Sequence, residues 1–63
     1  MSITLERQIA EVKREIGVRH HVDPRMIDAG KIKQADGDAR IEVLQAVLET
    51  LQDLHDKQNP RLL

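Results

Sequence analysis

The chain has 63 residues with a formal net charge of -1, no cysteine and no aromatic residue. That excludes a disulfide framework, a thiolate metal site and an aromatic base-stacking platform, and it confines any core to Leu, Ile, Val, Ala and Met. A single hydrophobic core is small at this length, so idealised helix packing or oligomerisation is expected to supply the missing stability.

The hydrophobic fraction of 40% and charged fraction of 33% with three glycines and two prolines suit solvated helices better than disorder. No apolar run approaches the roughly 20 residues that span a bilayer. Met1 to Arg7 lack the charged-then-apolar order of a signal peptide. A cytoplasmic protein that does not enter membranes is expected. Residues 1–33 carry seven Lys or Arg against five Asp or Glu, a balance of +2, whereas residues 34–63 carry three against six, a balance of -3. So slight a basic excess is a poor footprint for nucleic acid, which calls for a basic stripe or patch.

In chain order, Leu5, Ile9, Val12 and Ile16 recur at the four-three step that aligns side chains on one stripe of a helix. The spacing predicts a helix over about 3–20, with Ser2 or Thr4 as its N-cap and the i,i+4 pairs Arg7 with Glu11 and Glu15 with Arg19 on its solvated face. The Asp23-Pro24 dipeptide is expected to end it, because a residue before proline is pushed away from the helical region. Asp23 would cap a short connecting helix over about 24–29, with Pro24 in the first helical position and Gly30 closing it in the left-handed conformation.

A last helix is expected over about 33–58, although Asp36-Gly37-Asp38 could instead be a break with Asp38 as cap. Asn59-Pro60 stops the pattern and leaves a loose tail over 59–63. On a helical wheel Ile41, Val43, Leu44, Val47, Leu48, Leu51 and Leu54 sweep roughly 160°, more than one partner helix covers. An antiparallel hairpin of the first and last helices would leave either Val43, Val47 and Leu54 or Ile41 and Leu48 in water. The expected architecture is therefore all-α: a helical hairpin that dimerises by two-fold symmetry into a four-helix arrangement, its core and dimer contacts made by Leu5, Ile9, Val12, Ile16, Ile41, Leu44, Val47, Leu48, Leu51 and Leu54.

The titratable residues suggest no chemistry. His20 and His21 point about 100° apart on a helix and cannot share a metal from one face, and His55 reads as a partly buried, hydrogen-bonded imidazole. Asp36, Asp38 and Glu42 fit no calcium-loop pattern. No nucleophile elbow or phosphate-cradling glycine loop is present. Neither catalysis nor a cofactor or metal is expected. What remains is a basic connection in which Arg19, Arg25, Lys31 and Lys33, with the edges of Met26 and Ile27, form a candidate surface for an acidic protein partner. Arg25 at the start of a short helix would oppose the helix dipole, which argues for selection by something other than helix stability.

The run Val22-Asp23-Pro24-Arg25-Met26-Ile27-Asp28-Ala29-Gly30-Lys31-Ile32-Lys33-Gln34-Ala35, with Ile41 and Ala46-Val47-Leu48-Glu49-Thr50-Leu51, resembles a family of short helical proteins of Mu-like temperate phages and prophages. With Glu11 to Arg19 the likeness spans residues 11–51, about two thirds of the chain. Its most specific element is Pro24-Arg25 followed by Gly30-Lys31 and Gln34-Ala35, residues of architectural character. The resemblance implies a dimeric anti-activator that binds a host quorum-sensing regulator of the LuxR type, with a pilus-assembly ATPase as a second target. The chain departs from that family at Asp23, where relatives carry an aromatic residue, and at Asp36-Gly37-Asp38, which replaces a helix-prone run. The alternatives are a DNA-associated phage regulator and a purely structural oligomerisation module.

Overall fold

The computed structural model describes residues 2–59, and these form two helices and no strand. Helix α1 spans Leu5–Asp28 and α2 spans Gln34–Gln58. Thr4 starts α1 from an extended backbone, its Oγ1 accepting from the Arg7 N–H at 3.2 Å. Gln8 adds a side-chain bond back to the Ile3 carbonyl at 3.0 Å. The first contact satisfies an amide that the first turn leaves without a helical partner, and the second ties the helix to the residue before its cap.

The expected stop at Asp23-Pro24 does not occur. Residues 24–28 are the last turn of α1, not a separate helix, and Asp23 caps nothing. The proline ring holds φ near a helical value, so its local cost lies in the missing N–H and in crowding of the carbonyl four residues earlier, that of His20. The bias against helix before proline yields here because Asp23 is turned into the junction between the helices. There it is 2% exposed and is held by Arg19 one turn earlier.

The true end of α1 follows Ala29. Gly30 sits at φ 73°, its N–H donates to the Ile27 carbonyl at 3.0 Å, and the Lys31 N–H donates to the Met26 carbonyl at 2.9 Å. This pair of bonds is the Schellman arrangement, which uses a left-handed residue without a Cβ to turn the chain off a helix. Lys33 then accepts from the Asp36 and Gly37 amides at 3.1 Å each, opening α2. Gly37 therefore lies inside the first turn of α2 and is buried.

The helices run antiparallel: Glu6 meets His55 at one end, and Gly37 meets Ile27 and Asp23 at the other. Together they make a rod of 48 × 26 × 17 Å with a radius of gyration of 14.8 Å, against roughly 11 Å for a compact domain of this length. Leu5, Ile9, Val12 and Ile16 face Ile41, Leu44, Leu48 and Leu51, but all eight are only half-buried. Among the described residues no apolar side chain is fully buried. Pro60 to Leu63, four of the five residues in the expected tail, lie outside the described residues, while Asn59 closes α2 by donating to the His55 carbonyl at 2.9 Å.

Candidate protein interface

Which flank of the wide apolar face stays wet is settled by where α1 lies. Ile41 and Leu48 are half-buried beneath α1, whereas Val43 is 62% exposed, Val47 41% and Leu54 44%. Of the two flanks that a hairpin was expected to leave in water, it is that of Val43, Val47 and Leu54, which projects beyond the edge that α1 covers. Ile3, 58% exposed, lines a shallow groove with Val12, Val47 and Leu51 and extends this flank across both helices. Toward the turn, Ala39, Val43 and Leu44 continue it between Arg19 and Arg40. The spacing of Val43, Val47, Thr50 and Leu54 is again four-three-four, the seam of a helix that meets another helix. Thr50 does not interrupt it with a free hydroxyl, because its Oγ1 donates to the Ala46 carbonyl at 3.1 Å. Ile3 escapes a wheel drawn for α2 alone, as it precedes α1 and joins the flank only through the fold.

The basic connection is less available than the sequence suggests. Arg19 is engaged within the hairpin: Nη1 donates to Asp23 Oδ1 at 3.3 Å, and Nε lies 3.1 Å from Glu15 Oε1 as an ion pair without hydrogen-bond alignment. Its side chain is 24% exposed. Arg25 belongs to the last turn of α1, not to a helix start, so its charge stabilises the helix dipole and needs no further explanation. Met26 and Ile27 are half-buried, and Ile27 Cδ1 faces Gly37. Arg25, Lys31 and Lys33 are exposed and take part in none of the ion pairs among the described residues.

Asp23 is the residue that pattern reading misplaced. Its carboxylate shares one guanidinium with Glu15, which also lies 3.9 Å from Arg14 Nη2, so Glu11, Arg14, Glu15, Arg19 and Asp23 form one chain of three carboxylates and two guanidiniums, and Asp23 Oδ2 has no partner among the described residues. The four-residue spacing from Arg19 was a visible signal of pairing. Glu11 departs from expectation too: it pairs with Arg14, whose Nε donates at 3.1 Å to both carboxylate oxygens, and not with Arg7. The Arg14 guanidinium holds the Glu11 carboxyl below its ordinary value and is itself raised.

At the open end of the hairpin the half-buried His55 ring places Nε2 3.1 Å from Glu6 Oε1, an ion pair when the ring is protonated. Glu6 is held below its ordinary value first by its own backbone N–H and then by His55. Among the described residues no cluster of three or more His, Asp or Glu side chains could hold a metal ion, and no helix is long and apolar enough to cross a membrane. Set against family models, curated proteins and solved structures, the chain matches none.

Proposed function

We propose that this protein works by self-association along the Val43, Val47 and Leu54 flank and, as a homodimer, binds and restrains a bacterial regulator. The supporting observation is an apolar flank left in water on a hairpin that fully buries no apolar side chain among its described residues. The accessible surface is 5245 Å², against roughly 4100 Å² for a folded monomer of this mass. The difference exceeds the ~800 Å² that each partner contributes to a standard interface. A two-fold pairing covers the same patch on both copies at once and turns two hairpins into four helices.

The inhibitory role and its target come from the sequence resemblance: a phage-encoded anti-activator, a regulator of the LuxR type, and a pilus-assembly ATPase as second target. The hairpin supports a binding role by offering exposed charged faces on a stiff two-helix scaffold. Light scattering at high micromolar concentration is expected to give twice the chain mass, and expression beside a LuxR-type regulator is expected to silence its reporter. Monomeric mass with a melting temperature unchanged on dilution would sink the dimer. An unaltered reporter, with no regulator captured by the tagged protein, would sink the inhibitor.

A further inference from the structure

We infer that a second surface, on the side of the hairpin away from the apolar flank, is a receptor for a lysine or arginine side chain of a basic protein partner. The inference rests on the reading above that the chain acts by binding protein, and it specifies where and by what chemistry. Between the end of α1 and the start of α2 lies an open groove of about 370 Å³. Pro24, Ile27 and Ile41 give it apolar walls, and Asp38 and Glu42 stand on its α2 side. That combination suits a long cationic side chain, which lays its methylene stem on apolar surface and keeps its charged head among acceptors.

The groove's own charges are unbalanced. Asp38 and Glu42 make no ion pair among the described residues, and Asp38 accepts only from the Gln34 amide, at 3.0 Å. Among the described residues no Lys or Arg lines the groove, and His20 is its one basic side chain. An independent observation comes from its floor. Asp23 lines it, 2% exposed, paired through Oδ1 with Arg19 and with Oδ2 unpartnered among the described residues. A carboxylate so placed projects negative potential into a recess walled by low-dielectric side chains, where a cation gains more than at an open surface.

The polarity of α2 extends the surface. Glu49, Asp53 and Asp56 follow Asp38 and Glu42 within a sector of about 60° at 100° per residue, and none of them is in an ion pair among the described residues. At the far end Lys13 of α1 lines the same depression as Asp56, whereas at the groove Arg19 is engaged by Asp23 and Glu15, and Asp38 and Glu42 are in no ion pair among the described residues. A basic helix or strand laid along α2 would therefore be anchored at the groove and steered by the rest.

The test uses the full chain and an alanine-based helical peptide bearing lysines along one face, with the same peptide bearing glutamates as control. Amide shifts on titration with the lysine peptide should centre on Asp23, Gly37, Asp38 and Glu42 and should saturate. The double variant Asp38→Asn with Glu42→Gln should weaken binding about five- to ten-fold. Glu49→Gln with Asp53→Asn should weaken it less than about two-fold, a rim effect. Equal weakening by the two pairs, shifts spread over every carboxylate without saturation, or equal binding of the glutamate peptide would overturn the inference. Sedimentation of the same samples separates the two readings, because a failed groove in an intact dimer leaves the self-association standing.

Discussion

A Cβ built on Gly37 would stand 3.8 Å from the Cβ of Asp23, so the buried carboxylate and the bare backbone of α2 define how closely the helices approach near the turn. The tighter neighbour of such a Cβ is the Ile27 Cδ1 methyl at 3.3 Å, with Ile32 Cδ1 at 3.7 Å. Both are the ends of flexible side chains that can yield by a few tenths of an ångström. Gly37→Ala should therefore be neutral to mildly stabilising, by up to about 1 kcal/mol from helix propensity. Gly37→Leu, which needs the helices to part, should cost about 1–3 kcal/mol. Thermal melting followed by circular dichroism orders the three proteins, and an alanine variant weaker than the leucine variant would contradict this packing.

Among the described residues Arg19 is the one cation paired with Asp23. Arg19→Met should leave that carboxylate buried without compensation, at about 2–4 kcal/mol given that the arginine itself is partly exposed. Adding Asp23→Ala removes the stranded charge, so the double variant should be more stable than Arg19→Met alone. A double variant that loses the sum of the two single losses would show that the pair is not coupled.

Much of this architecture is legible in the sequence, and the exceptions share a cause. The four-three spacing of Leu5, Ile9, Val12 and Ile16 suffices to orient α1, and Gly30 announces its own left-handed turn. The continuity of α1 through Pro24 is not legible, because Asp-Pro is read locally as a stop and a cap. What overrides it is the fit of Asp23 against Arg19 and Gly37, one of them fourteen positions away. The wet flank of α2 is visible only as a choice between two, since periodicity gives the width of an apolar face and not the side on which a neighbour lies. Ile3 joins that flank across the fold and carries no signal in α2. The basic connection misleads for the converse reason: composition counts Arg19 as free, and the fold spends it internally.

Val47 is exposed in the hairpin, so Val47→Asp should leave the helicity of the chain nearly unchanged while abolishing self-association. Leu48→Asp should instead lower helicity, because Leu48 is half-buried against α1 and its aspartate would place an unpaired charge there. Concentration-dependent melting distinguishes them: the parent should melt higher as it is concentrated and Val47→Asp should not. Identical concentration dependence in both would move the interface elsewhere.

The Glu6 and His55 contact joins the start of α1 to the end of α2 and fixes a direction for acid sensitivity. Because the folded-state value of Glu6 is depressed, its stabilisation is present above the ordinary carboxylate range and is lost as pH falls through the folded value. Glu11 adds a contribution of the same sign through Arg14. The melting temperature should thus fall as the solution is acidified below the ordinary carboxylate range, and Glu6→Gln should make that fall shallower. A slope unaffected by Glu6→Gln would mean that the contact is not made in solution.

The half-buried character of every apolar contact between α1 and α2 has a calorimetric consequence. Heat capacity rises on unfolding in proportion to the apolar surface newly hydrated, about 12–15 cal/mol/K per residue for ordinary domains. A lone hairpin whose leucines and valines already touch water has little left to hydrate, so its increment falls short of that figure and its stability curve is broad and flat. Any increment that reaches the ordinary figure measures apolar area dried by a neighbour outside the hairpin, and calorimetry at two concentrations reads that area without naming the neighbour.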